Sequence, residues 1–219
     1  MYPYRQHLDQ IRSRRATNTL RVKGEGSLST APDRANITVG AVTEATEVSE
    51  AQQENAQIIS DVTAAISSLG VSEDNIQTVE YRIDTQYDFI DGKQVFRGYR
   101  VNHLLQITLD DVSLTGSVID EAVEAGANAI SSIQFSLSNP DVLYNQALEL
   151  ALQNAQEKGE TIARQLGVSL STPPVSVKEI SPSTTPVPFQ TALYAKAEST
   201  PIQAGTLTVL ALVEVEYQY

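Results

Sequence analysis

The stretch from Asn139 to Gly167, NPDVLYNQALELALQNAQEKGETIARQLG, most limits what this chain can fold into. Asn139 suits an N-cap, Pro140 the first helical position and Gly167 the C′ position, so the spacing predicts a helix over 140–166. Leu143, Ala147, Leu150, Ala151, Ala155, Ile162 and Leu166 recur at helical spacing and form one apolar stripe. Glu149, Gln153, Gln156, Glu157 and Glu160 occupy the opposite face. Such a helix needs a sheet or another helix on which to bury its stripe.

The rest of the chain supplies the partners. Thr19 to Leu28 and Arg34 to Thr43 read as strands, the second with Ile37, Val39 and Ala41 on one face and Asn36 and Thr38 on the other. Gly24-Glu25-Gly26 lacks the third glycine and the Lys-Ser/Thr of a phosphate loop, so a bulge or a close backbone approach is the better reading. Val48 to Leu69 reads as a second long helix, ended by Gly70. Asn75 to Phe89 and Lys93 to Leu109 form a hairpin closed by Asp91-Gly92. A shorter helix over 111–126, a strand over 129–137, a short strand over 173–180 and an alternating last strand over 206–218 complete the order β-β-α-β-β-α-β-α-β-β. This order predicts an α+β fold, with two long helices and one shorter helix packed on a mainly antiparallel sheet.

The ends and one internal stretch differ in character. Residues 1–18 lack periodicity and are expected to be a disordered basic arm. Residues 1–23 carry Arg5, Arg12, Arg14, Arg15, Arg21 and Lys23 against Asp9, while the whole chain has a formal net charge of −12. The acidic body argues against nucleic acid and anionic lipid as partners. Residues 181–205, rich in Pro, Ser and Thr, are expected to be an excursion from a domain spanning 19–219. The chain has no cysteine and only two histidines, His7 and His103, which excludes thiolate nucleophiles and histidine-rich metal sites. No apolar run is long enough for a transmembrane helix. The polar leader lacks a secretory core, from which a cytoplasmic location is expected.

Several segments together resemble SIMPL-domain proteins. They are VKGEGSLSTAPDRANITVGAVTEA, with Gly24, Gly26, Pro32 and Asp33, and SEAQQENAQIISDVTAAISSLGVSEDNIQT, with Asn55, Ile76, Gln77 and Thr78. GYRVNHLLQITL, IDEAVEAGANAISSIQFSLSN, the alanine-rich helix and the last strand continue the resemblance over roughly residues 19–219. The resemblance implies kinship with bacterial periplasmic antigens, with a protein linked to oxidative-stress tolerance, and with animal adaptors that bind a kinase. It also implies ring-like homo-oligomers in some members. It carries over no catalytic residue.

The residues that could carry chemistry have plainer explanations. His103 lies on the apolar row Tyr99, Val101, His103, Leu105, Ile107 and Leu109, where a core histidine is expected. A catalytic base there would need a nucleophile and an orienting acid. Asp110-Asp111 is expected to cap a helix, and Glu214 and Glu216 to form a solvated strand face. Tyr81, Tyr87, Phe89, Phe96 and Tyr99 cluster on the hairpin, as cross-strand packing or as an interface. The segment TTPVPF (184–189), with Phe189, Leu193 and Tyr194, is either a surface loop or an arm on a neighbouring subunit. No catalytic, metal-ligating or cofactor-binding residue is assigned, and no cofactor is expected. The reading is a non-enzymatic, homo-oligomeric scaffold or binding module, with a protein partner and a link to oxidative-stress protection. Its interface candidates are Phe189, Leu193, Tyr194, Tyr87, Phe89 and Phe96. The alternative is a small-ligand-binding protein or hydrolase built on His103 and nearby acids.

Overall fold

Alternating apolar residues form the first two strands of the computed structural model, β1 (Thr19–Thr30) and β2 (Arg34–Ala45). The structure describes residues 18–180, 187–189 and 200–219. After β2 come α1 (Val48–Ser68), β3 (Ile76–Ile90), β4 (Lys93–Leu109), α2 (Thr115–Glu124) and β5 (Ala129–Ser136). Then follow α3 (Pro140–Leu166), β6 (Ser176–Glu179), β7 (Val187–Phe189) and β8 (Thr206–Gln218). This is the α+β order read from the sequence, with β7 added inside the Pro-rich excursion.

The strands divide into two sheets rather than one. One has the order β3-β4-β2-β5; the other has β1-β8-β6, with β7 also on β8. Alternation tells which face of a strand is buried, not which strand lies beside it, so this division is not written in the pattern. The described residues form two compact units, residues 28–143 with 187–189 and 200–209, and residues 18–27 with 144–180 and 210–219.

In the first unit β2 is central, antiparallel to both β4 and β5. One face carries Ala35, Ile37, Val39 and Ala41 from β2 and Leu105, Ile107 and Leu109 from β4. α1 covers it with Ile59, Val62 and Ile66, and α2 with Val118, Ile119 and Ala122. Each fully buried aliphatic side chain contributes about 1.5–3 kcal/mol. A polar bond ties α1 down: Thr43 Oγ1 donates to the Ala51 carbonyl over 2.7 Å in the buried interior. Asp111 accepts from Ser113 N–H and caps the turn before α2, while Asp110 accepts from Arg34, so the two acids serve as a cap and an ion pair. Where the excursion returns, the Thr200 N–H and hydroxyl donate to Asp120 on α2, and Ile202 packs against the core.

In the second unit α3 contradicts the expected stripe. Its buried residues are Ala147, Ala151, Ala155, Gly159 and Ala163, all at i+4 spacing, while Leu150 and Ile162 are exposed and Leu166 is 58% exposed. The reason is the glycine pair on β1. A Cβ on Gly24 would sit 1.9 Å from the Ala151 carbonyl oxygen, and one on Gly26 would sit 2.0 Å from that of Ala147. Only small residues on both elements permit this approach, so the large aliphatic side chains are left at the margins. The helix closes as expected at Gly167 (φ 69°), where Val168 N–H bonds to the Ala163 carbonyl and Gly167 N–H to the Arg164 carbonyl. On β8, Leu207, Val209, Ala211, Val213, Val215 and Tyr217 are buried, while the alternate residues are half-buried except Leu210, which is exposed.

Candidate functional site

The β3–β4 hairpin turns at Asp91-Gly92, both with positive φ, as the dipeptide predicts. Two irregularities interrupt its register, between Thr78 and Glu80 and between Gln86 and Tyr87. Each places one extra residue in one strand, and the second thereby sets Phe96 on the face of Tyr99, which strict alternation would deny it. Tyr81 stands opposite His103, Ile83 opposite Val101, Thr85 opposite Tyr99 and Tyr87 opposite Phe96. The result is one continuous row on the face that α1 covers further along.

Two regions of this row differ in their cover. Near the turn the row is open. Tyr87 meets Phe96 edge-on at 5.9 Å and Phe96 meets Tyr99 at 5.3 Å, yet Phe89 remains 75% exposed, and Ile90 and Val95 are exposed on the opposite face. The base of the ribbon is braced by Glu44, which accepts from Arg97 (2.5 Å) and Arg100 (2.6 Å). These two guanidinium groups, Arg100 first, hold the Glu44 carboxyl below its usual range. Tyr87, Phe89 and Phe96 are thus brought together. Phe189 ends β7, paired with Thr206, while Leu193 and Tyr194 lie outside the described residues.

Deeper along the row, His103 is half-buried rather than enclosed like its neighbours Val101 and Leu105. It borders a groove of about 560 Å³ between α1 and the strands, lined by α1 residues from Gln52 to Ser67 together with Glu73, Tyr81 and His103. His103 Nε2 lies 3.0 Å from the Thr78 hydroxyl, and its ring meets Tyr81 edge-on at 5.1 Å. Burial lowers its pKa, so the ring is neutral at physiological pH. Among the described residues no carboxylate is hydrogen-bonded to its other ring nitrogen. Nor do the described residues bring three or more His, Asp or Glu side chains together for a metal ion. Glu216 pairs with Arg21 instead.

Sequence reasoning missed Asn55 as part of this site. Asn55 is only 1% exposed, and its Nδ2 donates to the Ala41 carbonyl over 3.0 Å. The signal was present, since Ala51, Asn55, Ile59, Val62 and Ile66 continue one buried helical row through an amide.

The chain is 28% identical over 208 residues to the 26 kDa periplasmic immunogenic protein of Brucella melitensis, covering 90% of this chain and 83% of that one. It is 24% identical over 195 residues to the uncharacterized protein YggE of Escherichia coli, covering 89% and 78%. YggE of Edwardsiella ictaluri is 28% identical over 177 residues, covering 80% and 73%. No helix among the described residues is long and apolar enough to cross a membrane. Residues 20–217 match the SIMPL family, described as a protein of unknown function (DUF541), and the chain belongs to that family.

Proposed function

We propose that this protein is a non-catalytic assembly module whose β3–β4 ribbon packs against a second copy of the chain. The observation that carries this reading is the open aromatic row of Tyr87, Phe89 and Phe96 at the ribbon end. Contiguous exposed apolar surface of this kind marks interaction sites, and buried aromatic anchors dominate interface energies. A second copy suits it because the ribbon is charge-balanced within an acidic protein. Glu80, Asp84, Asp88 and Asp91 are matched by Arg82, Lys93, Arg97 and Arg100, whereas the whole chain carries −12. Two ribbons therefore meet without the repulsion that other surfaces would impose. β3 is also the edge of its sheet, open to an equivalent strand. Phe189, Leu193 and Tyr194 remain candidates for the same contact.

Sedimentation equilibrium of the full chain tests the reading. The wild type should self-associate, and Phe89→Ser with Phe96→Ser should shift it towards monomer with an unchanged circular dichroism spectrum. A wild type that stays monomeric at high concentration would refute it.

The Brucella relatives are named as periplasmic, and on that ground we place this protein outside the cytoplasm. The cytoplasmic location expected from the polar leader has no support from the comparisons. Cell fractionation of the full chain distinguishes the two. A link to oxidative-stress protection belongs to the same proposal and rests on the resemblance alone. Without cysteine such protection works by binding rather than by thiol exchange. Peroxide survival of cells carrying the wild type or the ribbon variant measures it.

A further inference from the structure

Among the described residues, two buried side-chain polar atoms have no hydrogen-bond partner: Asn55 Oδ1 and Ser67 Oγ. Both residues line the same groove, the one bordered by His103 and Tyr81. An unsatisfied buried polar atom costs about 1–3 kcal/mol, and native proteins keep few of them. Their occurrence together in one cleft is therefore an observation about the cleft. The twelve-residue separation of Asn55 and Ser67 along α1 spans about 18 Å.

The lining restricts what would satisfy these atoms. Asn55 Oδ1 can only accept, so the partner must bring an N–H or O–H donor. No Lys or Arg borders the groove, and Glu73 stands there as an acid. His103 is held neutral by burial. The chain as a whole carries −12. Anions are therefore disfavoured and cations attracted. Between Asn55 and Ser67 the helix wall alternates the apolar Ala56, Ile59 and Ala64 with the hydroxyls of Ser60 and Thr63, which suits a slender chain of methylenes interrupted by amines. Gln52 donates to the Tyr81 hydroxyl over 3.0 Å and bridges α1 to β3 at the groove wall.

We propose that this groove is a binding site for a linear aliphatic polyamine, with its ammonium or amine N–H groups donating to Asn55 Oδ1 and Ser67 Oγ and one end beside Glu73. No bond is made or broken. The site lies apart from the ribbon end, so it stands whether or not that end mediates assembly.

Isothermal titration of the full chain with spermine tests the proposal, with putrescine and 1,12-dodecanediol as comparison ligands. Spermine should bind, more weakly as salt is raised. Putrescine is too short to reach both orphan atoms and should bind less tightly. The diol lacks charge and should also bind less tightly. Ala56→Trp fills the groove from an exposed helix position and should weaken spermine binding by about tenfold or more, equivalent to about 1.4 kcal/mol. Glu73→Gln, on an exposed turn, should weaken it by roughly two- to fivefold. Circular dichroism confirms that both variants fold. No spermine binding by the wild type overturns the proposal. So does binding that survives Ala56→Trp, or a diol that binds as tightly as spermine.

Discussion

Replacing Gly24 by alanine separates local preference from packing. Taken alone, a strand interior favours alanine over glycine by about 0.5–1 kcal/mol, so propensity predicts a more stable protein. The structure predicts the reverse. The new Cβ would stand 1.9 Å from the Ala151 carbonyl oxygen, 2.8 Å from the Ala155 Cβ and 2.9 Å from the Ala155 nitrogen. A carbon–oxygen contact needs about 3.3 Å, so α3 must retreat by roughly 1.4 Å. That retreat loosens the methyl groups of Ala147, Ala151 and Ala155, which are fully buried. At about 0.8 kcal/mol per methyl the loss is about 2.4 kcal/mol, and overpacking strain adds about 1–3 kcal/mol. Packing outweighs propensity, and the net destabilisation should be about 2–5 kcal/mol. In urea the unfolding midpoint should fall by about 1 M or more. Ala155→Gly removes only the side-chain part of the clash, so the double variant should not recover. A neutral or stabilising Gly24→Ala, or rescue by Ala155→Gly, would refute the reasoning.

Three further outcomes are expected. Ile37→Ala, at a fully buried position on the central strand, should cost about 2–5 kcal/mol in denaturant unfolding, while Phe89→Ser on the open ribbon should change monomer stability by less than about 0.5 kcal/mol. Gly92→Ala should cost about 1 kcal/mol by thermal unfolding, and for conformational reasons alone, since Gly92 has a φ of 75° and open space where its Cβ would stand. Asp33→Ala should cost about 1 kcal/mol at neutral pH, because the carboxylate accepts from Ser138 N–H (2.7 Å) and Oγ (2.6 Å). Those bonds hold the Asp33 pKa below its ordinary 3.8, so the stabilisation is full above that value. It fades as the pH falls through the lower folded-state pKa, and the gap between wild type and variant should close in strong acid.

The legible parts of this fold are those fixed by a few neighbouring residues. Asp91-Gly92 gave the hairpin, Gly70 and Gly167 gave two helix ends, and β4 and α3 ran over the expected residues. What the sequence left open depends on distant partners. The two register irregularities on the ribbon depend on pairing between β3 and β4, and no local pattern marks them. The buried face of α3 was misread because Leu150, Ile162 and Leu166 outrank alanine in hydrophobicity, whereas the approach of Gly24 and Gly26 selects by size. The site was half legible. Tyr81, Tyr87, Phe89 and Tyr99 could be read from alternation, but Phe96 joins them only through the irregularity beside Tyr87, the groove arises from where α1 crosses the strands, and Asn55 was left out of the expected buried row of α1.

The small-residue row on α3 has a mechanical consequence. Against β1 the methyl groups of Ala147, Ala151 and Ala155 make a smooth rail, with no large knob on this stretch to lock the helix at one position along the strand. Close contact then fixes the distance between them but resists sliding only weakly. The task of stopping a slip falls to bonds at the flanks of the rail. Asn154 Oδ1 accepts from the Glu25 N–H over 3.1 Å, and Lys158 Nζ donates to the Lys23 carbonyl over 3.1 Å, each gripping the strand's main chain rather than a side chain. Two polar residues thus act as detents, and the longitudinal setting of the longest helix depends on them more than on any apolar side chain it carries.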